Sequence, residues 1–130
     1  MPTTAADSTT RDPMTERVIG AALEVHGHLG PGLLESIYEE ALCCELELRQ
    51  IPFERQKPVN VFYKNSLIKG QEIDLLVFGE VVVELKSGQR TQDYFLSQLL
   101  SQLKATKLKR GLIINFGKTS LVEGLQRVSL

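Results

Sequence analysis

Three features of the sequence predict a mixed α/β fold. Apolar residues recur at helical spacing from Thr15 to Leu29, from Leu33 to Leu48 and from Thr91 to Thr106. Between the second and third of these stretches the period falls to two, over residues 53–63, 67–78 and 80–86. Residues 110–116 then form a short, nearly continuous apolar run, as expected of a strand buried on both faces. The order is helix, helix, three strands, helix, strand and tail. A hairpin followed by a strand–helix–strand crossover implies a sheet with helices on both faces.

Each element has its own local signals. Residues 1–14 are rich in Thr, Ala, Ser, Asp and Pro and carry no apolar period, so they are expected to form a disordered arm, with residues 15–130 as a single domain. Thr15 is a reasonable N-cap for the first helix, whose apolar face runs through Val18, Ile19, Ala22, Leu23, His26 and Leu29 and stops at Gly30-Pro31-Gly32. The second helix runs on to Gln50-Ile51-Pro52 and carries Glu39, Glu40 and Glu47 on its outer face. Lys64-Asn65-Ser66 and Gly79 supply the turns between the strands, and Pro58 suggests an edge or a bulge. The third helix presents Phe95, Leu96, Leu99, Leu100 and Leu103. After Gly117 the tail is compatible with either a short helix or a final strand.

Composition narrows the function. The chain has 130 residues, 42% hydrophobic and 24% charged, with 15 Lys and Arg against 16 Asp and Glu, so it is no strongly basic or acidic chain. Cys43 and Cys44 are adjacent, which excludes a disulfide framework or a Cys-based metal site and agrees with a reducing cytoplasm. No apolar run approaches the roughly 18 residues of a membrane span, and the first residues lack a signal peptide's apolar core. A cytoplasmic protein without a membrane partner is expected.

The chemistry concentrates in Gly70–Lys86. If the hairpin turns at Gly79, Asp74 lies opposite Glu84. Alternation then puts Asp74, Leu76 and Phe78 on one face with Val82, Glu84 and Lys86, and Ile73, Leu75, Val77, Val81, Val83 and Leu85 on the other. Two carboxylates facing each other on an otherwise apolar strand pair need neutralising, and a divalent cation does this well. Carboxylate oxygens suit Mg²⁺ or Mn²⁺. Lys86 falls on the same face, where it could act on a water or on charge developing at phosphorus. A solvent-exposed hairpin end, with Lys86 merely bridging two acids, is the plainer alternative.

Asp74 with Glu84-Leu85-Lys86 resembles the motif of the PD-(D/E)XK nuclease superfamily. More narrowly, Gly32-Leu33-Leu34-Glu35-Ser36-Ile37-Tyr38 resembles the signature of the GxxExxY proteins, a bacterial group within it. The likeness extends through Val25–Gly32, Tyr38–Leu42, Glu84–Lys86 and Gly111–Gly117, roughly residues 16–117. It implies a restriction-endonuclease-like core of helix, three-strand antiparallel meander, helix and strand, here with an additional N-terminal helix. It also implies metal-dependent phosphodiester hydrolysis. Asp74, Glu84 and Glu35 would hold Mg²⁺ or Mn²⁺, and Lys86 would be the catalytic lysine. Where many of these nucleases have Gln-x-x-x-Tyr, this chain has Gln98 and Gln102, which therefore stand as accessory candidates with Tyr38 and His26. Ile73 replaces the Pro of the superfamily's name.

Charge is unevenly spread. Lys86–Lys118 contains Arg90, Lys104, Lys107, Lys109 and Arg110 among its bases and only Asp93 as an acid. Beside a metal site such a cluster would hold a polyphosphate backbone. The expectation is a nuclease acting on DNA more readily than RNA, working as a homodimer or with a partner that supplies specificity. The competing expectation is a catalytically silent nuclease-fold module that binds nucleic acid or a protein.

Overall fold

A computed structural model describes residues 12–88 and 92–130 of the chain. It contains helix α1 (Pro13–Leu29), helix α2 (Glu35–Leu48), strands β1 (Phe53–Tyr63), β2 (Ser66–Val77) and β3 (Val81–Lys86), helix α3 (Gln92–Thr106), strand β4 (Arg110–Asn115), a 3₁₀ turn (Leu121–Gly124) and strand β5 (Leu125–Ser129). The tail that the sequence left open is thus helical for one turn and then a strand. The first helix begins earlier than its apolar period suggested. Asp12 is the N-cap, accepting the Thr15 N–H at 2.9 Å and the Thr15 hydroxyl at 2.8 Å, and Pro13 opens the helix. Residues 12–14, assigned to the arm by composition, therefore belong to the fold.

The five strands lie in the order β1-β2-β3-β4-β5. All neighbours are antiparallel except β3 and β4, which run parallel with α3 as their crossover. Helices α1 and α2 cover one face, where Val18, Ala22, Leu42 and Leu46 meet Leu75, Val77, Val83, Leu85, Leu112 and Ile114. On the other face Phe95, Leu99 and Leu103 of α3 meet Leu76, Val82, Ile113 and Val128. Gly111 lets α3 sit close, because a Cβ there would come within 2.8 Å of Leu99.

Pairing about Gly79 has the expected register, Leu75 with Val83 and Val77 with Val81. Two side chains depart from simple alternation. Ile73 packs in the α3 cluster with Leu76, and Phe78 packs against the α1–α2 cluster. The reason for the first is a break in the ladder at Asp74: opposite it in β1, Gln56 has a φ of 48° and drops out of the pairing. Phe78 has left the strand, with a φ of 59° in the turn. Beyond Leu75 the β1–β2 pair continues without β3 as a two-stranded ribbon.

The parallel register sets Lys86 beside Asn115 and Val81 beside Arg110. The carboxyl end of β3 and the first turns of α2 and α3 consequently converge, the usual place for a ligand in an open α/β sheet.

Candidate active site

Glu84 sits mid-strand on the α3 face and is only 2% exposed. Gln102 and Asp74 are its polar neighbours, and Lys86 Nζ lies 3.7 Å from its Oε1. Among the described residues its Oε2 has no partner, although a buried carboxylate oxygen left bare is costly. Asp74 is anchored by the backbone, its Oδ2 accepting the Leu85 N–H at 2.9 Å. This bond occupies the place where the ladder has opened. Lys86 runs from Glu84 over the Phe95 ring, 5.3 Å from its centroid, into a pocket of about 310 Å³. Glu35, Ser87, Gly88, Tyr94 and Gln98 line that pocket with Lys86 and Phe95, whereas Asp74 and Glu84 do not line it.

The pocket wall is tied to the α2 layer and to the end of β4. The Ser87 hydroxyl donates to the Leu33 carbonyl at 2.6 Å, and the Ser87 backbone favours the ionised form of Glu35. Asn115, fully buried, accepts the Gly88 N–H and donates to the Gly88 carbonyl. Its Oδ1 also accepts the Gly117 N–H at 2.9 Å. Gly117 must lack a side chain, since a Cβ would lie 2.7 Å from the Gly88 nitrogen. On α3, Tyr94, Gln98 and Gln102 fall on one face at intervals of four. The aromatic expected one turn after Gln98 is thus found one turn before it. Tyr94, Ser87 and Asn115 escaped the sequence reading, although the spacing of Tyr94 to Gln98 was visible there.

The electrostatics follow from burial. Withdrawal from water pushes the Glu84 carboxyl up to about 7, and repulsion from Asp74 adds to this. Asp74 is raised as well, chiefly by burial, against the opposing pull of the Leu85 N–H and Lys86. Glu35 is raised by partial removal from water, with Lys86 pulling the other way and Asp74 reinforcing. Asp74 and Glu84 therefore form a coupled carboxyl pair whose joint ionisation a cation would favour.

A divalent ion fits this dyad. Two hard carboxylates, one with a bare buried oxygen, match the one or two carboxylates with which proteins usually hold Mg²⁺. The expected set of three is not assembled. Among the described residues no three His, Cys, Asp or Glu side chains are close enough to hold an ion. Glu35 stays solvent-exposed at the pocket rim, because it opens α2 in the opposite layer.

Other candidates lie elsewhere. Tyr38 is fully buried and stacked on Phe116 at 4.5 Å. Its hydroxyl donates to the Gly30 carbonyl and accepts the Leu33 N–H, so it staples the α1–α2 connection and cannot reach a phosphate in the pocket. His26 bonds to the Lys118 carbonyl at 3.0 Å as a packed core residue. Arg110 lies at the opposite end of β4 from Asn115, about 17 Å away at strand rise, and is committed to Glu80 at 2.7 Å. Lys107 and Lys109 share that end, because α3 runs back along the sheet, so they do not flank the pocket. Lys104 is exposed beside the β1–β2 ribbon. Arg90 lies outside the described residues.

A family model described as the PD-(D/E)XK nuclease superfamily matches residues 12–128. No curated protein and no solved structure matches the chain.

Proposed function

Since the chain belongs to the PD-(D/E)XK nuclease superfamily, we propose that it is a divalent-cation-dependent nuclease that hydrolyses DNA phosphodiester bonds at the Asp74–Glu84–Lys86 cluster. The observation that carries this reading is the buried Glu84 next to Asp74 and Gln102, with Lys86 Nζ 3.7 Å from its Oε1 and its Oε2 without a partner among the described residues. A purely structural strand has no use for such a costly group. The GxxExxY signature at Gly32–Tyr38 is the finer assignment within the superfamily.

Asp74 and Glu84 would hold the cation, Mg²⁺ or Mn²⁺, which would supply positive charge to the phosphate when bound. Lys86 extends from that dyad to the pocket, where its ammonium orients the attacking water and meets the charge that develops on the phosphoryl oxygens. The water oxygen joins phosphorus as one P–O ester bond breaks, and the proton from water ends on the leaving alkoxide. Gln98 and Tyr94 line the pocket where the scissile phosphate enters. Glu35 at the rim limits how that phosphate approaches.

The test is cleavage of supercoiled DNA with Mg²⁺ or Mn²⁺ by the wild type, Asp74→Ala and Lys86→Ala from identical preparations. Cutting that requires metal and is lost in both variants is expected. Cutting that survives in both would refute the site.

A further inference from the structure

We propose that the β1–β2 ribbon is the nucleic-acid grip of this protein and lies in the major groove of duplex DNA while the scissile phosphate occupies the pocket. This rests on the nuclease reading above. Val59 and Ile73 are buried against α3, and past them the ribbon has no structural task of its own. Residues 61–68 are all exposed, with Phe62 and Tyr63 each at 65% and Leu67 and Ile68 at 44% and 49%. An isolated two-stranded ribbon with an apolar tip is marginal in water and calls for a partner.

The charge identifies the partner. Residues 56–71 contain lysines at positions 57, 64 and 69 and no acid, in a chain whose net charge is -1, and Glu54, just outside that segment, pairs with Lys57 at 3.2 Å. A polyanion is the complement of such a segment. A second copy paired about a two-fold axis would instead set these lysines against each other. Lys64 lies 5.4 Å from the centroid of Tyr63, giving the tip a combined aromatic and cationic surface. The groove between the ribbon and α3, lined by Asn60, Phe62, Gln71, Ser101 and Lys104, adds a further exposed lysine and amide groups.

Dimensions agree as well. The major groove, about 12 Å wide, admits a two-stranded ribbon. Asp74 is the residue at which β2 parts from β3. From it to Ser66 the strand spans at most about 26 Å. The groove held by the tip and the bond presented to the dyad then fall within one helical turn of DNA, about 34 Å.

The experiment measures binding of a fluorescein-labelled duplex of about two helical turns in EDTA, beside hydrolysis of bis(p-nitrophenyl) phosphate with Mn²⁺ and sedimentation velocity. Three proteins are compared: the wild type, the Lys57→Gln/Lys64→Asn double variant and Phe62→Ser. Lys64 and Phe62 are exposed and Lys57 is half-buried, and Asn tolerates the positive φ of position 64. The proposal expects duplex affinity to fall about tenfold or more in each, with the salt slope of the double variant lower by about 0.9 per lysine. Hydrolysis of the small diester should stay within about twofold, because the pocket is untouched. Unchanged duplex affinity in both variants overturns the proposal and leaves the nuclease reading standing. A wild-type dimer that Phe62→Ser dissociates, with DNA affinity intact, overturns it in favour of a second copy. Loss of duplex binding in the variants, with no diester hydrolysis even by the wild type, supports the grip and removes the nuclease.

Discussion

Asn115 closes on Gly88 from both sides, accepting its N–H at 3.3 Å and donating to its carbonyl at 3.0 Å. The end of β4 thereby holds the loop that leaves β3, and with it the pocket wall behind Lys86. Asn115→Ala leaves the N–H groups of Gly88 and Gly117 without this acceptor. A loss of about 2–4 kcal/mol in urea-monitored stability is expected. Diester hydrolysis should weaken mainly through KM, as the wall loosens. A variant of wild-type stability would show that the loop is held by other means.

Lys86 touches the dyad but is not one of its ligands. Lys86→Ala is accordingly expected to reduce metal-dependent cleavage by about 10²–10³-fold. Mn²⁺ affinity should change little, since the carboxylates remain. Parallel loss of affinity and rate would make Lys86 part of the cation site instead.

The proton retained by this carboxyl pair makes cation binding pH-dependent. Glu84 titrates near 7 in the folded chain against an ordinary 4.5. Between those values the folded state keeps a proton that the unfolded chain has released, so this contribution to stability is full below about pH 4.5 and is lost as pH rises through about 7. A cation has to displace that proton. With cation at about 100 Kd, the gain approaches about 2.7 kcal/mol. The thermal shift on adding Mg²⁺ should therefore be small at about pH 5 and large at about pH 8. An equal shift at both would contradict the dyad.

Tyr38 separates a structural role from a catalytic one. Tyr38→Phe keeps the stack on Phe116 but leaves the Leu33 N–H and Gly30 carbonyl without the hydroxyl. A stability loss of about 1–3 kcal/mol is expected, with cleavage unchanged at temperatures where the variant is folded. A large fall in rate without destabilisation would return Tyr38 to the site.

Sequence periodicity located the core of this site because its pairing is local. Gly79 and two apolar strands define the register that brings Asp74 towards Glu84, and Lys86 follows by alternation. Alternation then failed at Ile73, where the ladder opens opposite Gln56, a backbone event that no hydrophobic period records. The start of α1 was legible in Asp12-Pro13, a capping signature outweighed by the polar composition of the preceding residues. The basic cluster failed for a different reason. Closeness in sequence joined Lys107, Lys109 and Arg110 to Lys86, whereas the crossover through α3 carries them to the far end of the sheet. Glu35 was expected to join the dyad as a metal ligand, but it lines the pocket rim instead, because its distance from Asp74 and Glu84 depends on packing between layers. The contribution of Asn115 is likewise tertiary, for it looks in sequence like the polar end of a strand.

Whether Asp74 and Glu84 hold a divalent cation is decided by calorimetric titration of Mn²⁺. Asp74→Asn is the suitable comparison, because its side-chain oxygen can still accept the Leu85 N–H. Saturable binding by the wild type that disappears in Asp74→Asn is the expected result. Equal binding by both proteins, or none by the wild type, would contradict the account.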